Sequence, residues 1–174
     1  MQNDPRQDNS PPAPIEPSGF FAGIQFRPIF MGVVVDTIAT FVLISAYYAL
    51  YVEPGAGKGA AFTEEAAAYW TTSEGLVVSL VIGSLGTMIG GFYAAYKAGA
   101  LEMKHGALVG ICSIILGFVL QSGVEESAVP DWFMGLSAAA AIPAGAIGGF
   151  LAELFKNATR GRDPTHWPGQ PGAR

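Results

Sequence analysis

Four stretches of this chain each run for about twenty residues with almost no charged side chain, which is the length of helix that crosses a bilayer. The stretches occupy residues 28–52, 75–96, 106–124 and 132–152. Asp36 is the one charged residue within them. A helix satisfies its own backbone hydrogen bonds in lipid, whereas membrane β-strands show short alternating segments. We therefore predict an all-α fold, an integral membrane four-helix bundle with spans at about 28–52, 75–96, 105–124 and 131–155.

The composition excludes several other classes of protein. Charged residues make up 13% of the chain, about half of the ~25% that is typical of soluble domains, and 51% of the residues are hydrophobic. A disordered chain would be rich in charge and poor in apolar residues. The net charge of −5 argues against a nucleic-acid partner, which needs a basic face, and the single cysteine rules out an intrachain disulfide. The expected surroundings are membrane lipid.

Two polar tails flank the predicted membrane domain, residues 28–156. Residues 1–27 begin with a proline-rich stretch that predicts a flexible or polyproline-like tail, and they end in a phenylalanine-rich segment that suits the membrane surface. The N-terminus lacks the basic region and the short apolar core of a cleavable signal. Residues 157–174 are polar and contain glycine and proline, so we expect a disordered C-terminal tail.

The basic residues indicate the orientation of the bundle. Eight lysines and arginines lie in the two tails, at the ends of the spans next to them, and between the second and third spans, whereas Lys58 is alone on the opposite side. Cytoplasmic loops carry the excess of basic residues. Both termini are therefore predicted to be cytoplasmic, in a multi-pass protein of the cell membrane. The eight residues are Arg6, Arg27, Lys97, Lys104, Lys156, Arg160, Arg162 and Arg174.

The connection between the first two spans contains a short predicted helix. Residues 63–70 begin with Thr63, which can cap a helix, and continue with two glutamates in the first turn. A second capping pattern, Thr71 followed by Glu74, predicts the start of the second span. Aromatic residues cluster near the ends of the spans, as expected of an interfacial belt.

Small residues recur every three or four positions along the last three spans. They let helix backbones approach closely in lipid. The second span has small residues on two neighbouring faces, so we expect it to lie centrally, against the third and fourth spans. We interpret the pattern as packing within one chain; a homo-oligomer or a docking face for another membrane protein is the alternative. The expected packing positions are Gly83, Gly86, Gly90 and Gly91 in the second span, Gly106 and Gly110 in the third, and Gly145 and Gly149 in the fourth.

Asp36 is the candidate functional residue. It lies roughly a third of the way into the first span from the cytoplasmic side, where a charged side chain is costly and indicates function by default. Lys97 could extend inward to pair with it, and Tyr93, Thr37 and Thr40 could form hydrogen bonds. One interpretation is proton or cation handling. The other, which we favour because the charge-free stretches contain no second acid and no histidine for a relay, is an aspartate that ties the first span to the second.

Motifs of catalysis and cofactor binding are missing from the sequence. The two histidines, His105 and His166, lie outside the charge-free stretches, which leaves no histidine pair for haem and no buried serine–histidine pair. The sequence contains no P-loop, no dinucleotide-binding fingerprint and no zinc-protease motif, and Cys112 has no second cysteine near it. We therefore expect no enzyme activity, catalytic residue, metal or cofactor.

The connection between the second and third spans carries a glycine-rich pattern. Residues 90–99 read GGFYAAYKAG, and residues 105–110 read HGALVG. This segment resembles a family of small, uncharacterised four-helix bacterial membrane proteins that carry GGxxAxxxAG and then HGxxxG at the same hairpin. The resemblance implies a four-span bundle in a bacterial inner membrane and no known catalytic residues. The chain departs from that family in its longer N-terminal tail and longer first outer loop.

These observations lead to two expectations about function. The first is a non-enzymatic integral membrane protein that is structural or accessory and acts through helix packing and protein contacts, with a membrane protein partner or a second copy of itself. The alternative is a small proton- or cation-coupled transporter or channel that uses Asp36 as its coupling site.

Overall fold

The computed structural model describes residues 22–55, 57, 59–121 and 129–160, and all of its regular elements are helices. The rest of both predicted tails, Lys58 and the connection 122–128 lie outside the described residues. The elements in chain order are α1 (Phe26–Tyr47), a π-helical turn (Tyr48–Val52), a 3₁₀ turn (Ala60–Phe62), α2 (Glu64–Trp70), α3 (Ser73–Ala98), α4 (Glu102–Gln121) and α5 (Asp131–Arg160).

Four of these helices are long and apolar enough to cross a membrane: α1 with its π-helical turn, α3, α4 and α5. The predicted all-α fold with four candidate spans is therefore confirmed. Helix α3 extends two residues beyond the predicted span at each end, and α4 begins three residues early. Helix α5 continues to Arg160, so residues 157–160 are helical although the sequence predicts a disordered tail from 157 onward.

The outside of the bundle is apolar. Large side chains such as Phe30, Val81, Ile115 and Phe150 are exposed, whereas many of the buried positions on the spans are glycine and alanine. A water-soluble helix shows the opposite arrangement, with its large apolar residues turned inward. This surface is compatible with a multi-pass protein surrounded by lipid.

The starts of α2 and α3 follow local capping chemistry. Thr63 caps α2 as predicted, because its hydroxyl accepts a hydrogen bond from the amide of Ala66 at 3.3 Å. Helix α3 is capped by Thr72, and the predicted cap, Thr71, is wrong. Thr71 lies one residue too early to cap the first turn, and its hydroxyl instead donates to the carbonyl of Ala68 at 2.9 Å.

Helix α3 lies at the centre of the bundle. It packs along α1 and α5 and also contacts α4, which in turn packs along α5. Helix α1 contacts α4 over a shorter stretch, and the described residues show no contact between α1 and α5. The central position agrees with the sequence prediction, but the prediction misses α1 as a principal neighbour of α3.

Helices α4 and α5 meet backbone to backbone through glycines. A Cβ atom on Gly106 would lie 2.9 Å from the amide nitrogen of Gly149 and would overlap the carbonyl of Gly145. A Cβ atom on Gly110 would lie 2.9 Å from Cα of Ile142, and one on Gly91 of α3 would lie 2.6 Å from the carbonyl oxygen of Gly145. Only glycine fits such contacts. We call these five predicted packing positions the glycine seam: Gly91, Gly106, Gly110, Gly145 and Gly149.

The end of the bundle that carries the start of α1, the α3–α4 turn and the end of α5 is called the terminal end here, and the opposite end is the α2 end. At the terminal end His105 is fully buried, and its Nε2 accepts a hydrogen bond from the backbone amide of Gln25 at 3.0 Å. Nδ1 therefore carries the ring proton and donates a hydrogen bond to the carbonyl oxygen of Leu101, also at 3.0 Å. These bonds tie the start of α1 to the α3–α4 turn.

Lys156 ties α5 to the same end. Its Nζ atom forms an ion pair with Glu102 at 3.1 Å and donates to the carbonyl of Ala95 at 2.8 Å. Both side chains are largely buried, with 12% and 16% exposed. One charged group thus connects α3, α4 and α5 at the terminal end.

Four aromatic residues form a cluster at the α2 end: Tyr47, Tyr48, Tyr69 and Trp70. The ring centres of the contacting pairs lie 5.0–6.4 Å apart. The hydroxyl groups of Tyr47 and Tyr69 lie 3.0 Å apart, and each also lies within hydrogen-bond distance of the Glu74 carboxylate, at 3.3 and 3.5 Å. The cluster joins α2 to the ends of α1 and α3, at the position where an interfacial belt is predicted.

The aromatic cluster makes the stability of the protein sensitive to high pH. Burial raises the pKa of the Tyr69 phenol well above its usual range, and the hydrogen bond to Tyr47 and the nearby charge of Glu74 raise it further. The folded state therefore holds this proton more tightly than the unfolded state, and the free energy of unfolding should fall as the pH rises above about 10. Thermal unfolding in detergent at increasing pH measures this fall, which should be smaller for Tyr69→Phe. Equal slopes for the two proteins would contradict it.

Candidate intramembrane binding site

Asp36 lies on the face of α1 that packs against α3, with 6% of its surface exposed. Three hydroxyl groups donate to its carboxylate. Thr40 of α1 donates to Oδ1 at 3.3 Å, while Thr87 of α3 and Ser113 of α4 donate to Oδ2 at 3.2 and 2.5 Å. One carboxyl group thus connects three helices. All three hydroxyl groups donate, and an ionised carboxylate has enough lone pairs to accept all three hydrogen bonds.

Glycines on α3 allow α1 to approach closely enough for this arrangement. A Cβ atom on Gly90 would lie 2.5 Å from the carbonyl oxygen of Gly32 and 2.7 Å from Cβ of Asp36. A Cβ atom on Gly86 would lie 2.9 Å from Oδ1 of Asp36 and would overlap the hydroxyl of Thr40. Both glycines are predicted to pack against the third and fourth spans. The structure corrects this, since their face of α3 is turned toward α1.

A cavity of about 330 Å³ lies beside Asp36, among the four candidate spans. It is bordered by the first turns of α5, including Phe133, and by α3 from Ser79 to Thr87, so it extends from Asp36 toward the α2 end. This volume is within the range of small-molecule sites. The polar side chains in its wall are Asp36, Thr40, Ser79, Ser84, Thr87, Ser113 and Ser137.

The cavity ends at Asp36 because the helices are tightly packed on the terminal side of that residue. A Cβ atom on Gly32, one turn before Asp36, would lie 2.8 Å from side-chain atoms of both Ala94 and Val109. Ala94 and Val109 also form a buried cluster with Ile29. The interior is therefore closed on the terminal side of Asp36, and the cavity lies on its α2 side.

Gly83 borders the cavity and does not pack against another helix. A Cβ atom added to it would have no neighbour within 4 Å among the described residues. The sequence predicts Gly83 as a packing position, because it lies between Ser79 and Thr87 on a face of small residues. The structure corrects that role: this face of α3 contacts Asp36 through Thr87 and is turned toward open space at Gly83.

Lys97 and Tyr93 lie away from Asp36. Thr87, the partner of Asp36 on α3, precedes Lys97 by about 15 Å of helix. The Nζ atom of Lys97 lies instead 5.9 Å from the ring centre of Tyr93. Thr37 donates to the carbonyl of Val33 at 2.9 Å. Of the proposed partners of Asp36, the structure therefore brings only Thr40 to the carboxylate, and the expected pair with Lys97 is not found.

Three residues that build this site are not predicted from the sequence as neighbours of Asp36: Gly32, Thr87 and Ser113. Gly32, Asp36 and Thr40 are spaced four residues apart, which places them on one face of a helix. That spacing is a usable signal for the face of α1 that meets α3. The hydroxyl donors on α3 and α4 carry no comparable signal, since serine and threonine are common in membrane spans.

No cluster suited to metal binding is found in the described ranges, where no three histidine, cysteine, aspartate or glutamate side chains come together as possible ligands. Comparisons with protein-family models, with curated proteins and with solved structures found no match for this chain. The resemblance of the α3–α4 hairpin to small bacterial membrane proteins therefore stays a prediction.

Proposed function

We propose that this chain is a non-enzymatic, multi-pass membrane transporter or channel in which Asp36 couples the movement of a proton or another cation. The observation that supports this is the 330 Å³ cavity, whose one charged wall residue, among the residues described, is a buried carboxylate. An aspartate that only joined helices would need its hydrogen-bond partners and nothing else. An open cavity beside it lowers stability, because its walls lose packing contacts.

The proposed orientation places the cavity on the outer side of the membrane. The terminal end carries Arg27, Lys97, Lys104 and Lys156, and basic residues of this kind favour the cytoplasm. Both termini are then cytoplasmic, and the α2 end, toward which the cavity extends from Asp36, faces outward. The resemblance at the hairpin supports a bacterial inner membrane as the location.

In this proposal, coupling depends on competition between a proton and another cation for the Asp36 carboxylate. In the ionised form it attracts a cation into the cavity, and in the protonated form that attraction is lost. Its partners from α1, α3 and α4 are the hydroxyl groups of Thr40, Thr87 and Ser113, and α5 faces the cavity with apolar residues and Ser137. No described lysine, arginine or histidine borders the cavity to hold the charge of Asp36 permanently neutralised.

Filling the cavity should stop the proposed activity without disturbing the fold. Gly83→Leu is expected to slow proton flux about tenfold or more, because its side chain enters open space next to Asp36. The measurement is acidification of proteoliposomes that contain a pH-sensitive dye, under an imposed gradient. Gly83→Ala, which adds one carbon atom, is the matched control and should retain most of the flux. Equal flux for wild type and Gly83→Leu, or wild-type flux no faster than empty liposomes, would contradict the proposal.

A structural or accessory role is the second candidate, and the hydrogen bonds of Asp36 favour it. The carboxylate connects α1, α3 and α4, and no buried side-chain nitrogen or oxygen in the described residues lacks a partner. Membrane helices held in this way can present a stable surface to another membrane protein. A stoichiometric partner that co-purifies in mild detergent, together with no flux in liposomes, would support this role over transport.

A further inference from the structure

We propose that the Asp36 cavity binds a monovalent organic cation with an apolar body, of the aryl- or alkylammonium class. The inference rests on the proposed function and names the substrate class of the same site. It is carried by the division of the cavity into two parts. The Asp36 carboxylate and its three hydroxyl partners lie together where the cavity ends, whereas the wall toward the α2 end is mostly apolar, with Ser79 and Ser84 as polar side chains of α3 in that part.

The closed end of the cavity leaves room for one positive charge. An ionised carboxylate offers about four lone-pair positions, and three hydroxyl groups use three of them. Oδ1 accepts a hydrogen bond from Thr40 alone among the described residues, so a cation can pair with it by charge, whether or not the cation carries an N–H group. Since Asp36 is the one charged residue that the described wall contains, a single positive charge makes the site neutral. A dication would leave an uncompensated charge at membrane depth.

The rest of the wall favours an organic ion over an inorganic one. Leu80, Ile114, Phe118, Phe133 and Met134 line it, and these side chains make favourable contacts with an apolar body. The two phenylalanine rings can also attract a cation through their faces. An inorganic ion needs several oxygen ligands, about six for Mg²⁺. The described wall offers one charged oxygen ligand, Asp36, and most of its other residues are apolar or glycine, so it suits an organic cation better than a dehydrated inorganic ion.

The size of the cavity limits the ligand. At roughly 30 Å³ per water molecule, about 330 Å³ corresponds to on the order of ten non-hydrogen atoms. Benzyltrimethylammonium has this size, one permanent positive charge and an aromatic body, so it is a suitable probe. Neopentylbenzene, in which carbon replaces the nitrogen, has the same shape without the charge and is the matched neutral compound.

Equilibrium dialysis of radiolabelled benzyltrimethylammonium against the full chain in lipid nanodiscs tests the proposal. We expect saturable binding of one ion per chain, absent from empty nanodiscs and not displaced by an equal concentration of neopentylbenzene or sodium. Asp36→Asn should weaken the binding about tenfold or more, because the charge is lost. Gly83→Leu should weaken it similarly by occupying the cavity while leaving Asp36 in place. Glu64→Gln removes one negative charge from the exposed first turn of α2 and should leave the binding unchanged.

Three outcomes would overturn the inference: no saturable binding to wild type, equal binding to wild type and Gly83→Leu, or displacement by neopentylbenzene as effective as by unlabelled cation. Gly83→Leu keeps the test decisive if Asp36→Asn does not fold. The flux and binding measurements together show which of the two proposals fails. Proton flux that requires Asp36, without binding of the organic cation, removes this substrate class and leaves the proposed function standing. If binding requires Asp36 but no flux is measured, the binding site is supported and the proposed transport function is contradicted.

Discussion

Gly145→Leu is expected to prevent the four spans from assembling into the native bundle. A Cβ atom at this position would overlap the carbonyl of Gly106 and lie 3.1 Å from the amide nitrogen of Gly110, both on α4. These atoms belong to the backbone of α4 and cannot move aside as a flexible side chain could. Overpacking a single site costs about 1–3 kcal/mol where the surroundings relax, so a whole leucine side chain between two backbones should cost more than about 3 kcal/mol.

Gly83→Leu is the matched control for that experiment, because it makes the same substitution in another span at a position with no neighbour within 4 Å. Thermal unfolding followed by circular dichroism in detergent, with size-exclusion chromatography at each temperature, compares the two. We expect Gly145→Leu to be aggregated or unfolded at temperatures at which wild type and Gly83→Leu are monodisperse. A Gly145→Leu protein as stable as Gly83→Leu would show that the glycine seam does not hold α4 against α5.

Asp36→Asn is expected to reduce proton flux about tenfold or more while the bundle stays folded. Asparagine has the shape of aspartate, and its carbonyl oxygen in the place of Oδ2 still accepts hydrogen bonds from Thr87 and Ser113, while its amide group in the place of Oδ1 can donate to the hydroxyl oxygen of Thr40. Hydrogen bonds between membrane helices contribute about 0.6 kcal/mol on average and at most about 1.7 kcal/mol. Their partial loss therefore costs little stability. The loss of a charge that a proton can neutralise should stop coupling altogether.

Flux in proteoliposomes and thermal unfolding in detergent, measured on the same preparations, separate the two roles of Asp36. Asp36→Ala is the structural control: it removes every acceptor, although the three hydroxyl groups can turn back to carbonyls of their own helices, so we expect a loss of about 1–3 kcal/mol. An Asp36→Asn protein that no longer folds would support the structural role. One that folds and conducts at the wild-type rate would show that Asp36 is not the coupling site.

The glycine seam and the Asp36 site differ in how far the sequence predicts them. Gly106, Gly110, Gly145 and Gly149 are recognisable as packing positions, because a repeat of small residues has one main use in lipid. The partners of Asp36 are not recognisable in this way. Lys97 is the obvious counterion by charge and by the end of the span at which it lies, yet the structure surrounds the carboxylate with uncharged hydroxyl groups.

Local properties of the chain were sufficient to predict the four candidate spans and the cap of α2. The free energy of moving a segment from water into lipid adds up over about twenty consecutive residues, and a cap depends on a few neighbouring ones. Both can therefore be read along the chain. The resulting spans agree with the helices to within a few residues at the ends that the structure describes.

Tertiary packing alone decided which neighbour each inward face meets. Small residues mark the sides of a span that can pack closely, but they do not show which other helix lies against each side. A rotation of α3 about its axis would bring other residues to Asp36 and would close the space beside Gly83. The position of Thr87 against Asp36, and the cavity that follows from it, thus depend on how four helices fit together. No segment read by itself contains that information.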